Sequence, residues 1–241
     1  MNPRSMLVCL FLSLAGHAHA AGIVSLTWDG CTGPSTKTVV TGSAPELYVS
    51  LIGQSDALVS YSFNLVISRD CTDPAHPDGG PIPDAWRFDP GGCQGGLLQV
   101  DGAQGPSVPS CPNLAGTGIP LLIQSYAYED ATGNAVFHFA RSFENGSFAA
   151  PDPSVRYFVA RLRFFQEFGV VGPSGPDACG GLETPLCIQL VDTRYDTGEV
   201  EKDWARANAC VSVNDPGRIS GCESPTPVRA TTWGAIRGQY R

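Results

Sequence analysis

The stretch SYSFNLVIS, residues 60–68, decides the fold class. Tyr61, Phe63, Leu65 and Ile67 fall on one face, and Ser60, Ser62, Asn64 and Ser68 fall on the other together with Val66. A period of two held over nine residues is that of a strand with one face buried. The run RYFVARLRFF, residues 156–165, repeats the pattern: Phe158, Ala160, Leu162 and Phe164 share a face, while Arg161 and Arg163 point away with Tyr157. Further strands are expected at 23–28, 46–51, 119–129, 135–143, 186–191, 198–202 and 228–236, with a shorter one at 97–100. No window of twelve residues carries a helical period.

Between these runs stand turn sequences such as DATGN, ENGS, NDPG and GPSGP. Many short strands separated by turns, without intervening helices, specify an all-β antiparallel sandwich rather than βαβ units. The expectation is a jelly-roll or Ig-like β-sandwich of eight to ten strands with long disulfide-pinned loops. In the hairpin across DATGN, Tyr126 and Tyr128 fall on the face of Phe137 and Phe139, a cluster suited to the core. Trp28 shares its face with Val24 and Leu26 and is expected to be buried.

The N-terminus sets the compartment. Arg4 precedes an apolar run from Met6 to Ala15, followed by Ala18-His19-Ala20, the small-x-small pattern of a cleaved secretory signal. Residues 1–20 are therefore expected to be a signal peptide, and 21–241 one β-sandwich domain with a loop excursion at about 70–118. A secreted or periplasmic location follows, with no transmembrane span. The formal net charge is −8, and only Lys37 and Lys202 represent lysine, so a basic stripe for nucleic acid is absent.

Beyond Cys9, the chain holds Cys31, Cys71, Cys93, Cys111, Cys179, Cys187, Cys210 and Cys222. An even number in an exported chain reads as disulfides. No CxxC pair or Cys/His cluster has zinc-ligand spacing, so no metal ligands are assigned. Eight cysteines allow 105 connectivities. The short sequence separations favour sequential pairs: Cys31 to Cys71, Cys93 to Cys111, Cys179 to Cys187 and Cys210 to Cys222.

Three stretches carry a family resemblance. ELYVSLIGQSDALVSYSFNLVIS (46–68) resembles the early strands of cohesin-type modules, RYFVARLRFFQEFG (156–169) a later strand ending near glycine, and ETPLCIQLVDTRYDTGE (183–199) the penultimate hairpin. The resemblance implies a jelly roll shared with carbohydrate-binding modules and a role in recognition, since cohesins bind dockerins. The chain departs from that pattern in its eight cysteines and in the excursion at 70–118. It is also similar to uncharacterised secreted bacterial proteins with a WxxC start, here Trp28 to Cys31, a likeness that carries no function.

Candidates for chemistry are few. His76 and His138 are the only histidines beyond the leader, and there is no GxSxG nucleophile elbow. Glu129 with Asp130, or Glu199 with Glu201, could serve as paired carboxylates for glycoside hydrolysis. Asp70, Asp73, Asp78 and Asp84 offer oxygen ligands for Ca²⁺, but their spacing fits no EF-hand, and no cofactor is otherwise implied. Trp86, with Arg87 beside it in PDAWRF, lies on a loop, where an indole can stack on a sugar or anchor a partner. Two functions stay open. One is a non-catalytic exported domain for adhesion, assembly or binding of an extracellular protein or polysaccharide. The other is a disulfide-bonded secreted hydrolase working through paired carboxylates.

Overall fold

The computed structural model describes residues 22–69, 80–102, 111–114 and 118–215. The expected leader, His76, Asp70, Asp73, Asp78, Cys71, Cys222 and the strand at 228–236 with Trp233 lie outside the described residues.

Twelve strands are described: β1 (Ile23–Trp28), β2 (Thr36–Lys37), β3 (Glu46–Ile52), β4 (Ser60–Ser68), β5 (Leu98–Asp101), β6 (Ile119–Glu129), β7 (Asn134–Glu144), β8 (Tyr157–Phe164), β9 (Leu186–Asp196), β10 (Glu201–Asp203), β11 (Ala205–Arg206) and β12 (Cys210–Val213). They form two sheets. One has the order β11-β1-β3-β8-β5, and the other β2-β12-β9-β4-β7-β6, with β10 added alongside β9. All pairings are antiparallel except two at the margins, β1 with β11 and β12 with β2. These two-residue strands carry the strand count past the expected eight to ten. Among the described residues the one helical element is a 3₁₀ turn, Asp84–Trp86.

The alternation read in the sequence sets the faces. Tyr61, Phe63, Leu65 and Ile67 of β4 are buried in the same core as Val24, Leu26 and Trp28 of β1 and Leu47, Val49 and Leu51 of β3. The two sheets therefore share one apolar layer. Two polar ties cross it: Tyr61 Oη donates to the Val159 carbonyl at 3.1 Å, and Trp28 Nε1 donates to the Ser212 carbonyl at 3.1 Å. Each gives a buried donor the partner it needs.

In β8 the simple alternation fails at one residue. Val49 pairs with Ala160 but Ser50 with Phe158, so Val159 is an extra residue in the ladder, a β-bulge. Val159 thereby joins the core, and Phe158 turns to the opposite face. There it packs with Tyr48 and with the Cys31–Cys111 disulfide.

The cysteine scheme is corrected. Cys31 pairs with Cys111 and Cys93 with Cys179, at Cα separations of 6.2 and 5.6 Å. Cys187 and Cys210 are also disulfide-bonded. The sequential pairs of Cys31, Cys93 and Cys179 are thus replaced by links that bridge 80 and 86 residues of chain. Both tie the excursion to the sandwich instead of closing loops within it.

The β6–β7 hairpin carries a four-residue turn, with Glu129 opposite Asn134. Gly133 sits there at φ +69°, and a Cβ at this position would come within 2.7 Å of Pro81 Cα. Glycine is required on both counts, the left-handed backbone and the close approach of the excursion. The Ile82 amide then donates to the Gly133 carbonyl at 2.8 Å.

Candidate functional site

Trp86 and Arg87, expected as an exposed binding pair, are placed otherwise. Trp86 is fully buried, its ring 5.5 Å from Phe164 and 6.2 Å from Phe88. The Tyr126 hydroxyl donates to its carbonyl at 2.5 Å. The 3₁₀ turn folds the loop back beneath the sheets, so this indole plugs the sandwich and has no free face for a ligand. Arg87 stacks over the Tyr128 ring at 3.8 Å and donates from Nε and Nη2 to both oxygens of Asp89. Those donated bonds hold the Asp89 carboxyl below its usual range, against an opposing effect of burial.

The remaining candidates are dispersed. Glu129 and Asp130 lie at the β6–β7 turn, and Glu199 at the turn before β10. Asp84 accepts a hydrogen bond from Ser174 Oγ at 2.5 Å. Among the described residues no group of three or more His, Cys, Asp or Glu side chains is placed to hold a metal ion. Arg161 and Arg163 are neutralised on the outer face of the five-stranded sheet, where Arg161 meets Asp101 at 2.5 Å and Arg163 pairs with Glu46. Burial raises the Glu46 pKa, but the hydrogen bonds from Tyr48 and Arg163 and the nearby Arg161 outweigh it and hold the carboxyl below its usual range.

The structure instead gathers a site that, of the sequence candidates, includes Glu201. A trough of about 400 Å³ lies on the outer face of the seven-stranded sheet. The registers build it row by row. Ile123 of β6 stands opposite Ala140 of β7, which stands opposite Ser62 of β4, which stands opposite Arg194 of β9. The adjacent row runs Leu121, Ser142, Ser60, Asp196 and Glu201. The floor is therefore built from the small side chains Ser60, Ser62, Ala140 and Ser142. One wall is aliphatic, with Leu121 48% and Ile123 64% exposed. The other is charged, with Arg194 reaching Asp192 at 3.3 Å and Glu201 at 3.5 Å. Along the same face His138 Nδ1 lies 2.6 Å from Asn64 Oδ1.

Chemically, the trough offers aliphatic surface, serine hydroxyls and an ion pair. Glu201 is open to solvent, pairs with Arg194 at 3.5 Å and stands opposite Asp196 in the ladder. The feature in the sequence that could have signalled the trough is the run of small residues on the polar faces of β4 and β7. Their alignment depends on register, which alternation leaves open.

No family model matches the chain, and no curated protein matches it. Among solved structures it is similar to a cohesin module from a family 33 glycoside hydrolase of Clostridium perfringens, at 9% identity and a TM-score of 0.38, covering 81% of this chain and 98% of that one. It is also similar to the second type II cohesin module of the ScaA scaffoldin of Acetivibrio cellulolyticus, at 10% identity and a TM-score of 0.38, covering 81% and 97%. A third is the third ScaB cohesin of R. flavefaciens, in complex with a group 1 dockerin, at 11% identity and a TM-score of 0.35, covering 83% and 99%. The sequence resemblance to cohesin-type modules thus has its counterpart among solved structures.

Proposed function

We propose that this chain is an exported, non-catalytic binding domain that holds a protein partner across the outer face of its seven-stranded sheet. The observation that carries the reading is the trough. A floor of Ser and Ala lets a partner approach the backbone closely, the Leu121–Ile123 wall offers apolar area to bury, and the Arg194–Glu201 wall offers charge to orient it. Exposed aliphatic side chains beside a polar rim mark an interaction surface on a domain whose core is otherwise complete. Export is supported by the leader-like N-terminus and by the disulfides, which persist in oxidising compartments. Among the described residues no helix is long and apolar enough to cross a membrane.

The test is capture. The immobilised chain is offered its own cell-envelope proteins and, separately, culture polysaccharides, beside an Ala140→Arg variant that fills the trough from its floor. Protein retained by the unaltered chain and lost with Ala140→Arg supports the reading. Retention of polysaccharide alone, or equal retention by the variant, overturns it.

A further inference from the structure

The two disulfides described in full differ in access. Cys31 and Cys111 are 1% and 5% exposed and pack with Tyr48 and Phe158, so an outside thiolate has no approach to either sulfur. In the second link Cys179 is fully buried, but Cys93 is exposed. Exchange needs a thiolate to reach one sulfur of the bond, and exposed disulfides are the labile ones.

The chain holds Cys93 in a closed turn. The Gly92 amide donates to the Asp89 carbonyl at 2.8 Å, the Gln94 amide to the Arg87 carbonyl at 2.9 Å, and the Gly95 amide to the Gly92 carbonyl at 3.1 Å. A Cβ at position 92 would come within 2.4 Å of the Arg87 carbonyl oxygen, so glycine is required for the turn to close. The two segments that the disulfide joins are also held by other bonds. Gln94 Nε2 donates to Gln166 Oε1 at 2.8 Å, the Ala85 amide donates to the Gly180 carbonyl at 3.0 Å, and Ser174 Oγ donates to Asp84. Opening the sulfur bridge therefore leaves the segments docked, with Cys93 and Cys179 close enough to close it again.

We propose that Cys93–Cys179 is a site of reversible thiol–disulfide exchange with a dithiol reductant. A thiolate of the dithiol attacks Cys93 Sγ. A sulfur–sulfur bond forms there while the Cys93–Cys179 bond breaks, and the electron pair leaves on Cys179 Sγ, which takes a proton. The second thiolate of the dithiol then attacks the reductant's own sulfur in the mixed disulfide and releases Cys93. The dithiol loses two electrons and becomes a disulfide, and the protein disulfide gains two; the disulfide form of the same reagent drives the steps in reverse. The redox state thus sets how firmly the excursion that carries Trp86 is tied to the sandwich. The proposal goes beyond the binding reading, and the exchanging pair includes no residue of the trough.

The test treats the full chain with dithiothreitol under native conditions, stops samples at intervals by alkylation and maps the labelled cysteines. Cys93–Cys179 is expected to open at least about tenfold faster than Cys31–Cys111, with hydrogen-exchange protection at Phe63 and Leu65 of β4 unchanged. Cysteamine, a monothiol that cannot resolve a mixed disulfide, is expected to leave its first adduct on Cys93. Three results overturn the proposal: a Cys93–Cys179 bond that opens no faster than Cys31–Cys111, opening that occurs only with loss of protection in β4, or a first adduct on Cys179.

Discussion

Tyr61 and Val159 are joined across the sandwich by a hydrogen bond of 3.1 Å, and the acceptor is the very residue that bulges from β8. The bulge brings an extra residue to the core-facing side of that strand, within reach of the tyrosine. Burial pushes the Tyr61 hydroxyl up to about 12, with Arg141 opposing the rise. The phenol therefore stays a donor at any pH the folded chain meets. Tyr61→Phe is expected to cost about 1 to 3 kcal/mol, because the Val159 carbonyl is left buried without this partner. Denaturant unfolding measures it, and a loss below about 0.5 kcal/mol would show that the tie is incidental.

The two buried tryptophans should behave alike. Trp28 and Trp86 are both fully buried, and both pack against Phe164, at 6.3 and 5.5 Å. Replacing either by alanine is expected to cost roughly 3 to 5 kcal/mol. A Trp86→Ala protein that melts with the unaltered chain would return this residue to the surface.

Non-reducing peptide mapping is expected to recover Cys31 linked to Cys111 and Cys93 linked to Cys179. Replacing both Cys93 and Cys179 by serine removes a link across 86 residues of chain, and the chain-entropy account places the loss at about 4 to 5 kcal/mol. Recovery of a Cys93–Cys111 peptide would refute the long-range scheme.

What was legible in the sequence, and what was not, divides on physical grounds. Alternation located β4, β6 and β7 and placed Trp28 in the core, because period two is a property of one strand and one face. It missed the bulge at Val159, since an extra residue changes the phase without changing composition. β2 and β11 are two residues long, too short to have a period. The disulfides bridge separate parts of the chain, so sequence proximity misled. Trp86 looked like a loop anchor, but the 3₁₀ turn folds its loop inward. The trough needed the registers of five strands at once.

Asp89 should make part of the stability acid-sensitive. Its carboxyl is held low in the folded chain, chiefly by hydrogen bonds from Arg87. A lowered folded value contributes stability that is present above the unfolded carboxylate value of about 3.9 and is lost as pH falls through the lower, folded value. Asp89→Asn is expected to be less stable near neutrality and to lose less on acidification than the unaltered chain. Parallel acid-unfolding curves for the two proteins would show that the Arg87 pair contributes nothing.

The two walls of the trough should be separable by salt. The charged wall at Arg194, Asp196 and Glu201 acts through Coulomb interactions, which at an exposed site are screened beyond about 10 Å at 0.1 M ionic strength. The aliphatic wall at Leu121 and Ile123 acts through buried area, on the order of 25 cal/mol per Å², and is insensitive to moderate salt. Partner capture by the unaltered chain is therefore expected to fall, without vanishing, between about 0.05 and 0.5 M salt. Ile123→Ser should weaken capture by a similar factor at both salt concentrations, whereas Glu201→Gln should matter chiefly at the lower one. Capture that ignores Ile123→Ser, Glu201→Gln and salt alike would place the partner on another face of the sandwich.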